Sequence, residues 1–148
     1  MGEKMENQAT IINAEGLILG RMASIIAKKL LNGEEVIIVN AEKAVLSGKR
    51  KSKIREAKEF LEVGYPRQGP FHYRRPDRIV RRTIRGMLPY KQPKGKQAYK
   101  RLKVFIGTPE DLKNQKAETL PEAQAQKLKC PYFTIEEFAK EIGWSVEE

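Results

Sequence analysis

The sequence predicts a small α/β domain, and three observations carry that expectation. Short apolar, β-branched runs stand at 10–14, 36–39, 44–46 and 102–106, each with the composition of a strand. Between them lie stretches whose apolar residues recur at helical spacing. At 148 residues and 40% apolar composition, the chain is long enough for one domain around one core. Strands alternating with helices imply right-handed crossovers and a mainly parallel sheet with helices on both faces.

Taken in order, residues 1–9 are polar and read as a flexible extension, with one domain over 10–148. Thr10 to Ala14 form a first strand, and Gly16 with Gly20 punctuates a turn. A helix follows to Leu31: Met22, Ile25, Ile26 and Leu30 share one side, while Arg21, Ser24 and Lys28 lie largely away from it. Asn32-Gly33 ends that helix. Val36-Ile37-Ile38-Val39 is a continuous β-branched run, the pattern of a strand covered on both faces. Ala44-Val45-Leu46 reads as a third strand, closed by Ser47-Gly48.

A basic helix is expected over about 51–63, then a loop broken by proline and glycine, YPRQGPFHYRRP. Pro76 suits a first helical position, and Met87-Leu88-Pro89 stops the helix it opens. A basic loop with Pro93 and Gly95 runs into the fourth strand. Thr108-Pro109-Glu110-Asp111 reads as another helix start, its acids near the positive end of the dipole. Residues 117–131 form a looser connection. Thr134-Ile135-Glu136-Glu137 is a capping box, with Phe133 and Phe138 placed as its hydrophobic staple. A short last helix to about Ile142 follows, docked by Trp144.

Charge decides the chemistry. Segment 49–103 holds 19 Lys or Arg against 4 Asp or Glu, net +15 where the whole chain is +10, so the remainder is net acidic. Solvation alone favours mixed signs, so the asymmetry points to a polyanion partner. Helical spacing sharpens the point. Arg78, Arg81, Arg82 and Arg85 fall at i, i+3, i+4 and i+7, with Val80, Thr83, Ile84 and Met87 repeating that spacing on the opposite side. One face is built to pack and the other to hold guanidinium groups for phosphate.

Other chemistries find little support. The single cysteine, Cys130, excludes an intramolecular disulfide and a cysteine-held zinc, and leans towards a reducing compartment. His72 is the only histidine, set among Phe71, Tyr73, Arg74 and Arg75, which suits stacking or polyanion contact better than catalysis. No carboxylate pair is spaced for hydrolysis or a metal, and Asp77 suits a first helical turn. The Gly16-to-Arg21 turn lacks the P-loop lysine and is not G-x-G-x-x-G, so it reads as a strand-to-helix turn. No apolar run nears the roughly 18–20 residues of a membrane span. The start, MGEKMENQAT, has no signal-peptide core, and Glu6 argues against myristoylation. A soluble cytoplasmic protein is expected. RNA is favoured over DNA because no helix-turn-helix, zipper or zinc-finger pattern occurs, and the cations are dispersed over helices and loops.

Four strings carry a family resemblance: LILGRMASIIAKKL (17–30), VIIVNAEKAVLSGK (36–49), RTIRGMLP (82–89) and RLKVFIGTP (101–109). In this order and spacing the chain resembles the universal large-subunit ribosomal protein thirteen family, over about 11–109. The short Asn32-Gly33-Glu34-Glu35 connection and the lack of a long C-terminal extension resemble its archaeal branch. Asn13 and Met22 depart from the residues usual there. The resemblance implies a three-layer α/β/α domain around a four-stranded parallel sheet. It also implies a structural role in the large subunit with ribosomal RNA and neighbouring ribosomal proteins as partners, no enzymatic activity and no cofactor.

The candidate RNA contacts are Arg21; Lys49, Arg50, Lys51 and Arg55; Arg67, Tyr73, Arg74 and Arg75; the row Arg78, Arg81, Arg82 and Arg85; and Lys91, Lys94, Lys96, Tyr99, Lys100 and Arg101. Tyr and Arg can also stack on exposed bases. The acidic part, 110–148, is expected to face away from RNA. Two rival readings stand beside this one: a free RNA-binding regulator acting on messenger RNA, and a nucleotide-dependent α/β enzyme using the Gly16-to-Arg21 turn.

Overall fold

The computed structural model of the chain describes residues 9–63, 67, 72–113 and 115–145. The expected extension at 1–8, and Tyr65 with most of the YPRQGPFHYRRP loop, lie outside them. Strand β1 (Thr10–Asn13) leads through helix α1 (Leu19–Leu31) to β2 (Val36–Val39). Then come β3 (Val45–Ser47), α2 (Arg50–Glu62), α3 (Pro76–Gly86), α4 (Pro93–Lys100), β4 (Leu102–Val104), β5 (Tyr132–Thr134) and α5 (Ile135–Glu141).

The α/β class is as expected, and the sheet is simpler. β1, β2 and β4 form a three-stranded parallel sheet in the order β1-β2-β4, with Ile12 beside Ile38 and Val36 beside Leu102. β3 does not join it; it pairs antiparallel with β5 in a separate ribbon, Leu46 opposite Phe133. The reason is chain length. Parallel neighbours need a crossover of about a dozen residues or more, and only 40–44 separate β2 from β3. There Asn40 takes the left-handed conformation (φ 56°) and a 3-10 turn over Ala41–Lys43 redirects the chain.

The core lies on one face of the sheet. Ile12, Val36, Ile38 and Leu102 meet Met22, Ala23, Ile26 and Leu30 of α1, Val80 and Ile84 of α3, and Ala98 of α4. Ile25, expected on that face, is only part-buried; Ala23 and Ala27 are buried instead. On the other face Ile37 is part-buried and Lys103 exposed, and Ile11 and Ile37 share a groove with Leu112, Gln115 and Glu118.

The stretch expected as a loose connection is tied into the core. Asn13 donates to the Glu118 carbonyl and Glu118 to that of Ile11, and Leu120 and Ala123 are buried. The helix expected after Pro109 is only a 3-10 turn, Glu110–Leu112. At α5 the capping box is half formed: Thr134 Oγ1 accepts from the Glu137 amide at 3.3 Å. The Phe133 and Phe138 rings stand 6.2 Å apart, as the staple requires. Trp144 is part-buried, and its amide donates to the Ala139 carbonyl.

Two close approaches fix the connections. The buried Glu42 side chain accepts the Gly107 amide at 2.9 Å, which holds the end of β4's exit against the turn after β2. Gly95 lies so near the Pro89 carbonyl that a Cβ there would overlap it. Gly95→Ala is expected to destabilise the fold by about 1–3 kcal/mol, the usual cost of forcing atoms into a filled site, measured as a lower urea midpoint. Glu42→Ala, which strands the Gly107 N–H, is expected to cost a similar ~1–3 kcal/mol in the same titration.

Candidate nucleic-acid interface

α3 is positioned by a narrow apolar stripe. Pro76, Val80 and Ile84 are buried, with Pro76 at the first helical turn. Met87, expected on this stripe, is 43% exposed, and the next residue, Leu88, is buried in its place. The helix ends there: the Met87 amide reaches the Ile84 carbonyl and the Leu88 amide that of Arg85, which tightens the last turn and rotates Met87 outward. Thr83 satisfies its hydroxyl on the Ile79 carbonyl at 2.9 Å.

The arginine row is on the side opposite the stripe and is held by tyrosines. Arg85 lies 4.0 Å from the Tyr90 ring centroid, Arg81 4.6 Å from Tyr99, and Arg78 5.7 Å from Tyr73. Tyr90 and Tyr99 pack edge-to-face, 5.6 Å between centroids, so the first two of these supports brace each other. The Arg81 Nε is buried without a hydrogen-bond partner among the described residues, and the Tyr99 face is what its guanidinium rests on. Arg82 carries none of these stacks and is exposed. Tyr73 and Tyr99, expected to stack on bases, thus each give a ring face to an arginine.

The remaining candidates separate into groups. Lys94, Lys96 and Lys100 stand exposed on α4, a helix where a loop was expected, and Lys91 is exposed in the turn before it. Arg101 turns inward: its Nη1 donates to the Leu30 carbonyl at 3.0 Å and caps the end of α1. Lys49, Arg50, Lys51 and Arg55 are exposed on or beside α2, which buries none of its side chains. Arg50 bonds Glu141 at 3.1 Å and lies 3.8 Å from Glu137, so the acidic α5 sits against basic α2. Arg75 stands 3.4 Å from the Asp77 carboxylate without hydrogen-bond geometry. Arg74 is exposed and lies beside Gly143, while Arg67 and Arg21 are exposed in a turn and in the first turn of α1. His72 is exposed beside Phe60, 5.6 Å between centroids.

Tyr90 is the residue absent from the candidate contacts that the structure brings into the row. Its placement depends on the sharp stop of α3 followed by α4, which the Pro93 and Gly95 signals disguise as a loop. No cluster of His, Cys, Asp and Glu able to hold a metal occurs among the described residues, and no described helix is long and apolar enough to cross a membrane.

A model of the family described as ribosomal protein L13 matches residues 7–111, a span that takes in the sheet, α1 and the whole arginine row. The chain belongs to the ribosomal protein L13 family. Among its relatives is the large ribosomal subunit protein uL13 of Methanosarcina barkeri, 48% identical over 136 residues, covering 90% of this chain and 97% of the relative. The protein of the same name in Methanocaldococcus jannaschii is 48% identical over 139 residues, with the same coverage of 90% and 97%. That of Saccharolobus solfataricus is 43% identical over 149 residues, covering 98% and 99%. At 98% coverage the Saccharolobus match runs beyond the family match, into the 112–145 segment. These relatives are archaeal, in keeping with the short connection between α1 and β2.

The Arg85–Tyr90 contact can be measured directly. In a double-mutant cycle with Arg85→Met and Tyr90→Leu, a coupling of about 0.5–1 kcal/mol is expected, the range for a cation over an aromatic face at a partly exposed site. Strict additivity of the two effects would show that the guanidinium does not rest on the ring.

Proposed function

We propose that this protein is a structural constituent of the large ribosomal subunit that binds and stabilises large-subunit ribosomal RNA during assembly and translation. The observation that carries the reading is the arginine row: four guanidinium groups on one helix, three of them seated on tyrosine rings and none ion-paired to a carboxylate among the described residues. Membership in the L13 family and the names of its archaeal relatives support the same conclusion. The reading is of a structural protein of the cytoplasmic ribosome, not an enzyme. It invokes no cofactor, membrane or small-molecule substrate.

In this reading Arg78, Arg81, Arg82 and Arg85 bind phosphates that RNA tertiary folding crowds together. Lys91, Lys94, Lys96 and Lys100 extend that surface along α4, and Tyr73, Arg74 and Arg75 line its approach. Lys49, Lys51 and Arg55 form a second patch on α2, with Arg67 and Arg21 as outlying contacts. Arg50 and Arg101, each engaged within the protein, contribute charge more than direct contact. The protein works as a monomer within the ribosome beside other large-subunit proteins. Contacts to phosphate and sugar dominate, so affinity falls steeply with salt.

Replacing Arg81 and Arg82 together with alanine is expected to weaken binding to a large-subunit ribosomal RNA transcript by roughly tenfold or more, on the order of 1.4 kcal/mol or more for lost charged hydrogen bonds. The slope of log affinity against log salt should flatten by about 0.7–0.9 for each phosphate the variant no longer neutralises. Far-ultraviolet circular dichroism should stay unchanged. Wild-type affinity at physiological salt would sink the arginine-row reading. Crosslinking in native cells should concentrate on large-subunit RNA through residues 49–103; scatter over messenger RNA would remove the ribosomal assignment.

A further inference from the structure

The last residue of α3 is a glycine that the fold itself does not use. Gly86 is exposed and its φ is not positive, so the backbone conformation does not require it. A Cβ there would meet only the Arg82 side chain, at an ordinary 3.8 Å. Gly95 is the contrast, since the Pro89 carbonyl leaves no room for a side chain. Glycine in a helix is less favourable than alanine because it surrenders more backbone freedom on folding. A bare Cα with free space around it, at such a position, fits a backbone approaching from outside the chain.

Gly86 opens onto a cleft of about 400 Å³ between the end of α3 and the turn over 87–92. Arg82, Arg85 and Lys91 line it together with Tyr90 and Pro89, and no acidic side chain among the described residues does. Arg85 rests on Tyr90 with one face, 4.0 Å from the ring centroid. Its other face is a flat cationic plane of the kind on which an unstacked base lies.

We propose that this cleft holds one unpaired nucleotide of the RNA: the base stacked on the Arg85–Tyr90 pair, the phosphate between Arg82 and Lys91, and the sugar–phosphate backbone against Gly86. The proposal rests on the RNA-binding reading above and specifies the ligand at one end of the row. A paired nucleotide does not fit the description, because its base faces are already stacked within the helix. Gly86 and Tyr90 become positioning residues for RNA that carry no charge themselves.

The test compares full-length Gly86→Ala with the wild type on a large-subunit ribosomal RNA transcript. Alanine should leave Tm unchanged or raise it, yet weaken RNA binding about tenfold, with loss of chemical protection confined to one or two nucleotides. Tyr90→Phe should bind as the wild type does, whereas Tyr90→Leu should lose the same protection as Gly86→Ala. Wild-type affinity and protections in Gly86→Ala would overturn the cleft. If Arg81→Ala with Arg82→Ala still weakens binding in that case, the ribosomal reading stands and only the cleft falls. If none of these variants affects RNA, both fall.

Discussion

The arginine-bearing surface depends on two side chains, Val80 and Ile84, that fasten α3 to the core. Four arginines spaced three and four apart repel along the helix, each neighbouring pair costing a few tenths of a kcal/mol. Fully burying one valine and one isoleucine contributes about 1.5–3 kcal/mol each. Burial therefore wins, but by a margin of only a few kcal/mol, and the stripe is narrow enough that it fixes the roll of the helix as well as its place. Stacking on Tyr73, Tyr90 and Tyr99 then limits where the guanidinium groups swing. The surface is rigid because its back is buried and its front is propped.

The strings that carry the family resemblance make physical sense as contacts with one another. Asn-Ala-Glu of the second string turns the chain after β2, and Glu42 reaches Gly107 of the fourth. Asn40 donates to Asn13 and accepts from the Thr108 hydroxyl, binding the ends of β1, β2 and the β4 exit into one polar knot. Leu-Pro of the third string ends α3 where Gly95 must pass the Pro89 carbonyl. Arg101, which opens the fourth string, caps α1, the helix of the first. These positions are held by hydrogen bonds and close approach more than by size of side chain.

Local pattern made much of this legible. The spacing of Val80, Ile84 and the four arginines gives α3 and its two faces, and Thr134-x-x-Glu137 gives the start of α5. What local pattern missed involves partners far along the chain. Ala44-Val45-Leu46 has the composition of a strand but not its address, because its partner β5 begins only at Tyr132. The 117–131 stretch has no periodicity, yet its Glu118 bonds the edge of β1 with both its amide and its carbonyl. α4 was hidden because Pro93 and Gly95, read as breakers, serve as a first-turn proline and a packing glycine. The same gap concealed the tyrosine supports: Tyr90 and Tyr99 meet the arginines only once α4 folds back on α3.

Helix α2 follows a different regime from the rest. It buries no side chain, and what ties it down includes ion pairs from Arg50 to α5 that are half exposed, interactions of the kind that contribute little in water. Its amides should therefore exchange with solvent deuterium sooner than those of α1 or α3, since local opening there uncovers only part-buried apolar side chains such as Ile54 and Leu61. A partner that grips α2 spends part of its binding free energy on ordering the helix, while one that grips α3 finds the work done by the fold. For such a partner each cation on α2 would return less affinity, and leave more freedom to adapt, than one on α3.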